Sequence, residues 1–317
     1  MPVLPGHYDL IVNALLKRSV VPLLGAGANL CGRPEGFQWS SGTDFLPSGG
    51  ELSGHLAETA GYPGQDHWEL GRVSQFLELE LGSGVLYQEL RGIFDRDYPL
   101  TPLHRFLAAL PAHVRRIRPR PRYQLIVTTN YDDLLERAFR DAGEPFDTVV
   151  YVADGQNKGK FLHIRPDGAS TLIDRPNEYH AFDLEQRPVI LKIHGAVVRA
   201  DVSQDSYVIT EDHYIDYLTR TDISMLLPVQ LVVELKQSHF LFLGYSLRDW
   251  NLRVILHRIW SERSLKFKSW SVQLRPAAVD QKFWQRREVE ILDVTIEEYV
   301  EGLEASLAAR DAAEAAP

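Results

Sequence analysis

The sequence predicts an α/β fold in which a largely parallel sheet is covered by helices on both faces. Three observations carry this expectation. First, the segments 20–24, 123–129, 188–193 and 239–243 are near-continuously apolar, the pattern of strands buried on both faces. Second, each runs into a short glycine-bearing or polar turn: Gly25-Ala26-Gly27-Ala28-Asn29, Asn130-Tyr131-Asp132, His194-Gly195 and Gly244-Tyr245-Ser246. Third, helical periodicity recurs between them, so strand, turn and helix alternate along the chain as a doubly wound core requires. The 317 residues exceed one ordinary domain, yet a single core with insertions accommodates them. One domain is therefore expected over 1–307.

In order, Ile11, Leu15 and Leu16 share one face of a short helix that precedes the first strand. Residues 31–50 are rich in Gly, Pro and Ser and hold Phe37 and Trp39; a loop of that length after the first strand is expected to be a lid over a ligand. Four helical patterns near 51–60, 68–81, 84–94 and 102–114 predict a helical insertion spanning 51–114. Five arginines between Arg115 and Arg122 alternate with prolines, an extended run that reads either as a solvated loop or as a contact for phosphate, nucleic acid or an acidic partner.

A further strand is expected over 148–152 and a hairpin around Pro166-Asp167-Gly168, with helices over 211–218, 225–236 and 277–287. Another helix begins near Asp249-Trp250-Asn251. Short strands are expected over 271–274 and 289–294, then an amphipathic helix from Ile296 and an Ala/Glu tail that frays from about Ala308 to 317.

Composition narrows the function classes. The net charge of −9 gives no broad basic surface for nucleic acid, so any such contact must be a local patch. Cys31 is the only cysteine, which excludes an internal disulfide and a Cys₄ zinc site. A reducing cytoplasm is the expected compartment, since no signal peptide and no long apolar span is present.

Ligands on parallel sheets bind beyond the carboxyl ends of the strands, and all four turns are expected on that edge. Gly25 and Gly27 allow a tight turn that approaches a pyrophosphate, whose charge the turn and the following helix would receive. Residue 30, where a dinucleotide fingerprint has its third glycine, is Leu30.

Together these segments resemble the sirtuin family, and more closely its bacterial antiphage-defence branch. Gly25-Ala26-Gly27 is similar to the family's Gly-Ala-Gly loop, Thr129-Asn130-Tyr131-Asp132 to its Gln-Asn-x-Asp turn, Lys192-Ile193-His194-Gly195 to its Leu-His-Gly, and Gly244-Tyr245-Ser246 to its Gly-Thr-Ser segment near the adenine-side ribose. The longer Thr128-to-Asp132 and Leu243-to-Asp249 runs resemble the defence branch. A Rossmann-like fold is implied, without the zinc module of sirtuin deacylases. Thr43-Asp44-Phe45-Leu46 matches the family's Pro-Asp-Phe-Arg lid but lacks its arginine.

The resemblance implies hydrolysis of NAD to nicotinamide and ADP-ribose, with NAD as substrate and no metal, in an effector that depletes NAD in an infected cell. It implies catalytic roles for Asn130 and His194, with Asp132 orienting them or capping the next helix. It implies contacts to the dinucleotide from Gly25, Ala26, Gly27, Asn29, Asp44, Gly244, Ser246 and Asn251. A homo-oligomer, a HerA-type translocase or a short Argonaute are the partners implied. The chemistry agrees: histidine titrates near neutrality, and an asparagine amide can hold water or a ribose hydroxyl without becoming a nucleophile. The competing reading is a subunit that binds NAD or ADP-ribose and does no chemistry. Tyr207 and Tyr214 are expected to pack around a helix start, and Cys31 to be a small loop residue.

Overall fold

The computed structural model describes residues 3–4, 6–117, 120–219, 227–245 and 268–315. Its centre is β1 (Val20–Leu24), every residue of which is buried. Val20 and Leu24 point into one apolar layer and Val21 and Leu23 into the other. This is the period-two division that a strand covered on both faces demands.

Around β1, a nine-stranded sheet runs in the order β11-β10-β9-β1-β2-β6-β3-β4-β5. The strands are β2 (Leu125–Thr128), β3 (Asp147–Tyr151), β4 (Phe161–Ile164), β5 (Ser170–Ile173), β6 (Val189–Lys192), β9 (His239–Leu243), β10 (Ser269–Val272) and β11 (Val289–Leu292). All pairings among β11 to β3 are parallel; β4 and β5 add antiparallel at the edge, closing the hairpin expected at Pro166-Asp167-Gly168. From β1 the strand order leaves in both directions, through β2 and through β9, so the crevice above β1 and β9 is the topological switch point.

One face is covered by α1 (His7–Leu16), α5 (Pro102–Ile117), α6 (Leu134–Asp141) and α10 (Ile296–Ala315). The other is covered by α7 (Glu211–Thr219), α8 (Val229–Gln237) and α9 (Ala278–Gln285), through Tyr217, Leu231, Leu235 and Trp284. A separate apolar cluster joins α2 (Gly49–Ala60), α3 (Leu70–Leu81) and α4 (Ser83–Phe94) through Leu56, Val73, Leu77, Leu86 and Leu90. A two-stranded ribbon, β7 (Gly195–Ala196) with β8 (Ser206–Tyr207), follows β6.

Four details differ from the sequence expectation. The insertion expected over 51–114 comprises α2–α4 only, because Leu103, Phe106, Leu107 and Leu110 seat α5 on the sheet beside α1 and α10. The strand expected over 271–274 lies two residues earlier: Ser269 and Ser271 are buried within it, and Ser269 Oγ accepts the Phe240 N–H. The helix expected from 225 starts after Pro228, and residues 225–226 lie outside the described residues. Finally, α10 continues past Ala308 to Ala315, with Arg310 bonded to Asn13 and Asp311 paired with Arg116. The helix expected near Asp249 lies outside the described residues.

Candidate functional site

At the carboxyl edge of the sheet, a cavity of about 420 Å³ lies over β1. Its floor is the turn after β1. Gly25 donates its N–H to Leu243 O at 3.0 Å, and Gly27 donates to Gly244 O at 2.8 Å, so the turns after β1 and β9 are joined back to back. A side chain at Gly244 would stand 2.0 Å from Ala28 N, and Gly244 has φ +66. Glycine is required there on both counts.

This differs from the expected anion cradle. The N–H groups of Gly25, Gly27 and Ala28 donate to protein carbonyls, and the element that follows, Ala26–Leu30, is one short 3₁₀ segment. The glycines shape the cavity floor through close backbone packing.

The turn after β2 forms one wall. Thr129 N–H bonds to Leu24 O at 3.1 Å and Ile193 N–H to Thr128 O at 3.0 Å, which locks the ends of β1, β2 and β6 together. The Thr128 hydroxyl accepts the Asn130 N–H at 3.0 Å. Lys192, 1% exposed, donates to the Asp132 carbonyl and to Glu136 Oε1 at 2.9 Å, fixing the turn from beneath. Burial pushes the Glu136 carboxyl up from its ordinary range, against the pull of the Lys192 ammonium.

Within the cavity, Asn29 Nδ2 donates to Asp132 Oδ2 at 2.6 Å, while Asn130 Nδ2 donates to Gly25 O at 3.1 Å and to Asn29 Oδ1 at 3.3 Å. Asp132 Oδ1 accepts the Leu134 N–H at 3.0 Å, at the start of α6. The Asp132 carboxylate thus takes its hydrogen bonds from Asn29 and from the backbone two residues on, an Asx turn leading into α6, whose N-cap residue is Asp133. His194, 3% exposed, also lines the cavity and stands edge-on to Tyr214, with ring centroids 5.6 Å apart at 78°.

The structure therefore brings Gly25, Ala26, Gly27, Asn29, Asn130, Asp132, His194 and Gly244 to one cavity. Asp44 is not among them; it lies exposed on the loop before α2. Ser246 and Asn251 lie outside the described residues. The cavity also takes in residues that the sequence does not mark as site residues, among them Tyr214, Tyr245, Phe94, Leu52 and the start of α2 at Ser48 and Gly49. Ser48 and Glu51 form a reciprocal capping box, a signal readable as Ser-x-x-Glu that fixes where α2 begins. Tyr214, expected to be packing alone, faces the cavity from α7.

Cys31 is buried, and burial pushes its thiol up to about 12, which removes it as a nucleophile at neutral pH. Of the arginine run, Arg115 forks onto Glu144 at 2.6 and 2.5 Å, Arg116 pairs with Asp311, and Arg122 reaches Glu185 at 3.6 Å. Among the described residues no group of three or more His, Cys, Asp or Glu could hold a metal ion. No described helix is long and apolar enough to cross a membrane.

The chain is 30% identical over 211 residues to the NAD(+) hydrolase ThsA of Enterococcus faecium, which covers 66% of this chain and 36% of that protein. It is 23% identical over 210 residues to Defense-associated sirtuin 2 of Bacillus subtilis, covering 64% of this chain and 17% of that protein. The chain therefore spans about a third or less of the length of these relatives. A solved structure from work on the mechanism and regulation of Sir2 enzymes covers 98% of this chain and 100% of its own, at 14% identity and a TM-score of 0.44. The SIR2-like domain family matches residues 124–292, more than half of the chain, and this protein belongs to that family.

Proposed function

We propose that this chain hydrolyses NAD at the nicotinamide–ribose bond, releasing nicotinamide and ADP-ribose, and that it serves as an antiphage effector that depletes NAD when triggered. The observation that carries the reading is the meeting of Asn130 and His194 in one cavity over the glycine turn. The relatives named NAD(+) hydrolase support it.

In the proposed reaction the C1′–N bond breaks and its electron pair passes to the nicotinamide ring nitrogen, cancelling the pyridinium charge. Water forms the new bond to C1′ and gives up a proton. Binding the dinucleotide rigidly lowers the barrier by fixing the reacting atoms, and a positioned base assists the proton's departure. Asn130 is suited to hold the water because its amide is anchored at two points, and His194 to act as base or as partner of a ribose hydroxyl. Leu30, Leu52, Leu70 and Phe94 line the same cavity and would exclude bulk water around the leaving ring. Control by self-association, by a HerA-type translocase or by a short Argonaute belongs to the same proposal.

Incubation of purified protein with NAD and chromatography of the products tests it. Nicotinamide and ADP-ribose in equal amounts are expected. Tight NAD binding without turnover, in the presence of each candidate partner, would instead identify a binding subunit.

A further inference from the structure

The hydrogen bonds around Asn130 have a direction, and Asp132 sets it. A carboxylate only accepts, so Asn29 must turn Nδ2 toward Asp132 Oδ2, at 2.6 Å. Its Oδ1 then faces Asn130, which must present Nδ2 in return, at 3.3 Å. The second Asn130 Nδ2 hydrogen goes to Gly25 O at 3.1 Å. Both donors of Asn130 are thereby engaged, and Oδ1 is left as the polar atom of its side chain with no bond among the described residues. We infer that Asn29 and Asp132 are positioning residues of a polarity relay, in which the Asp132 carboxylate makes Asn130 offer an acceptor, and not a donor, to the cavity.

The consequence is chemical. An acceptor at that point takes a hydrogen from the attacking water or from a ribose hydroxyl and leaves an oxygen lone pair directed elsewhere; a donor would occupy that lone pair. Asn29 acts here through Asn130, with one Nδ2 hydrogen committed to Asp132 and its Oδ1 to Asn130. The chain links residues 103 positions apart, so a local turn does not require it. The kinetic arm of the test rests on the NAD-cleaving reading.

The experiment compares Asp132→Asn, Asn29→Asp and the double exchange of both. In Asp132→Asn the new amide must turn a donor toward Leu134 N–H or toward Asn29, so the relay loses its direction. In Asn29→Asp two carboxylates face each other. In the double variant the carboxylate at 29 accepts from both neighbouring amides, and the amide oxygen at 132 accepts the Leu134 N–H, restoring every bond. Each single variant is expected to lose on the order of 10- to 100-fold in kcat for nicotinamide release with KM for NAD little changed, and the double variant to recover most of it. Singles with full kcat, or a double variant as impaired as the product of the two singles, would overturn the relay.

If wild type does not cleave NAD, the functional reading fails while the relay is still tested. With ¹⁵N-asparagine labelling, the Asn130 side-chain NH₂ is expected to exchange slowly in wild type and in the double variant, and fast in Asp132→Asn. Fast exchange in wild type would overturn the relay whatever the activity.

Discussion

Replacing Gly244 by alanine should damage the molecule far more than the loss of a flexible residue explains. The added methyl would lie 2.0 Å from Ala28 N and 2.3 Å from Gly27 C, both backbone atoms that no rotamer change can move. Relief requires the turns after β1 and β9 to separate, which breaks the Gly27 N–H to Gly244 O bond at 2.8 Å and loosens the Gly25 N–H to Leu243 O bond at 3.0 Å. At about 1 kcal/mol per bond, with a further 1–2 kcal/mol for the φ of +66 and about as much for lost packing, the total is about 3–5 kcal/mol. Gly36 supplies the control, since it has φ +74 and nothing within 4 Å of an added methyl. Gly36→Ala isolates the conformational term, the same 1–2 kcal/mol. In a thermal melt, with about 2 °C per kcal/mol for a chain of this size, Gly244→Ala should unfold about 4–6 °C below Gly36→Ala. The cavity floor should be lost as well, so nicotinamide release should fall with it. Melting of the two variants within about 2 °C of each other would refute the packing argument.

Further outcomes follow from other buried groups. Burial lowers the His104 pKa from 6.5 to about 4, below its value in the unfolded chain, so the unfolded state takes the proton first and stability is lost as pH falls from 6.5 toward 4. The loss is about 2 kcal/mol at pH 5, with His7 and His213, also lowered by burial, adding in the same direction; His104→Gln should melt with a visibly smaller drop between pH 7.5 and 5. Cys31, pushed up to about 12, should react with a thiol reagent at pH 8 about a thousandfold more slowly than a free thiol until the protein is unfolded. Arg115→Ala should lower stability by roughly 1–2 kcal/mol, because it strands the buried Glu144 carboxylate. That variant should leave any weak nucleic-acid binding, measured across a salt series, nearly unchanged.

How far the fold could be read in advance depended on what each signal encodes. Unbroken apolar runs such as Val20–Leu24 identify strands buried on both sides, and the four polar turns mark the sheet edge where ligands gather, so the sheet and the cavity were both legible. Periodicity says that α5 is amphipathic but not which apolar surface receives it, and so it read as part of the insertion that α2–α4 alone make up. The role of Asn29 was out of reach for a similar reason, because its meaning lies in a bond to Asp132, a contact made only after β1 and β2 align in parallel. Tyr214 is placed by the packing of α7, with the Asp212 N–H bonded to Gln75 of α3, and nothing near it in sequence records that. The arginine run illustrates the converse: a dense local signal in which Arg115, Arg116 and Arg122 pair with Glu144, Asp311 and Glu185 within the same chain.

The most direct test of the account is the rate of nicotinamide release from NAD by wild type beside His194→Ala and Asn130→Ala, each variant checked for an unchanged melting temperature. Steady release by wild type is expected, falling by at least about two orders of magnitude in both variants. Release that continues at the wild-type rate in either folded variant would contradict it.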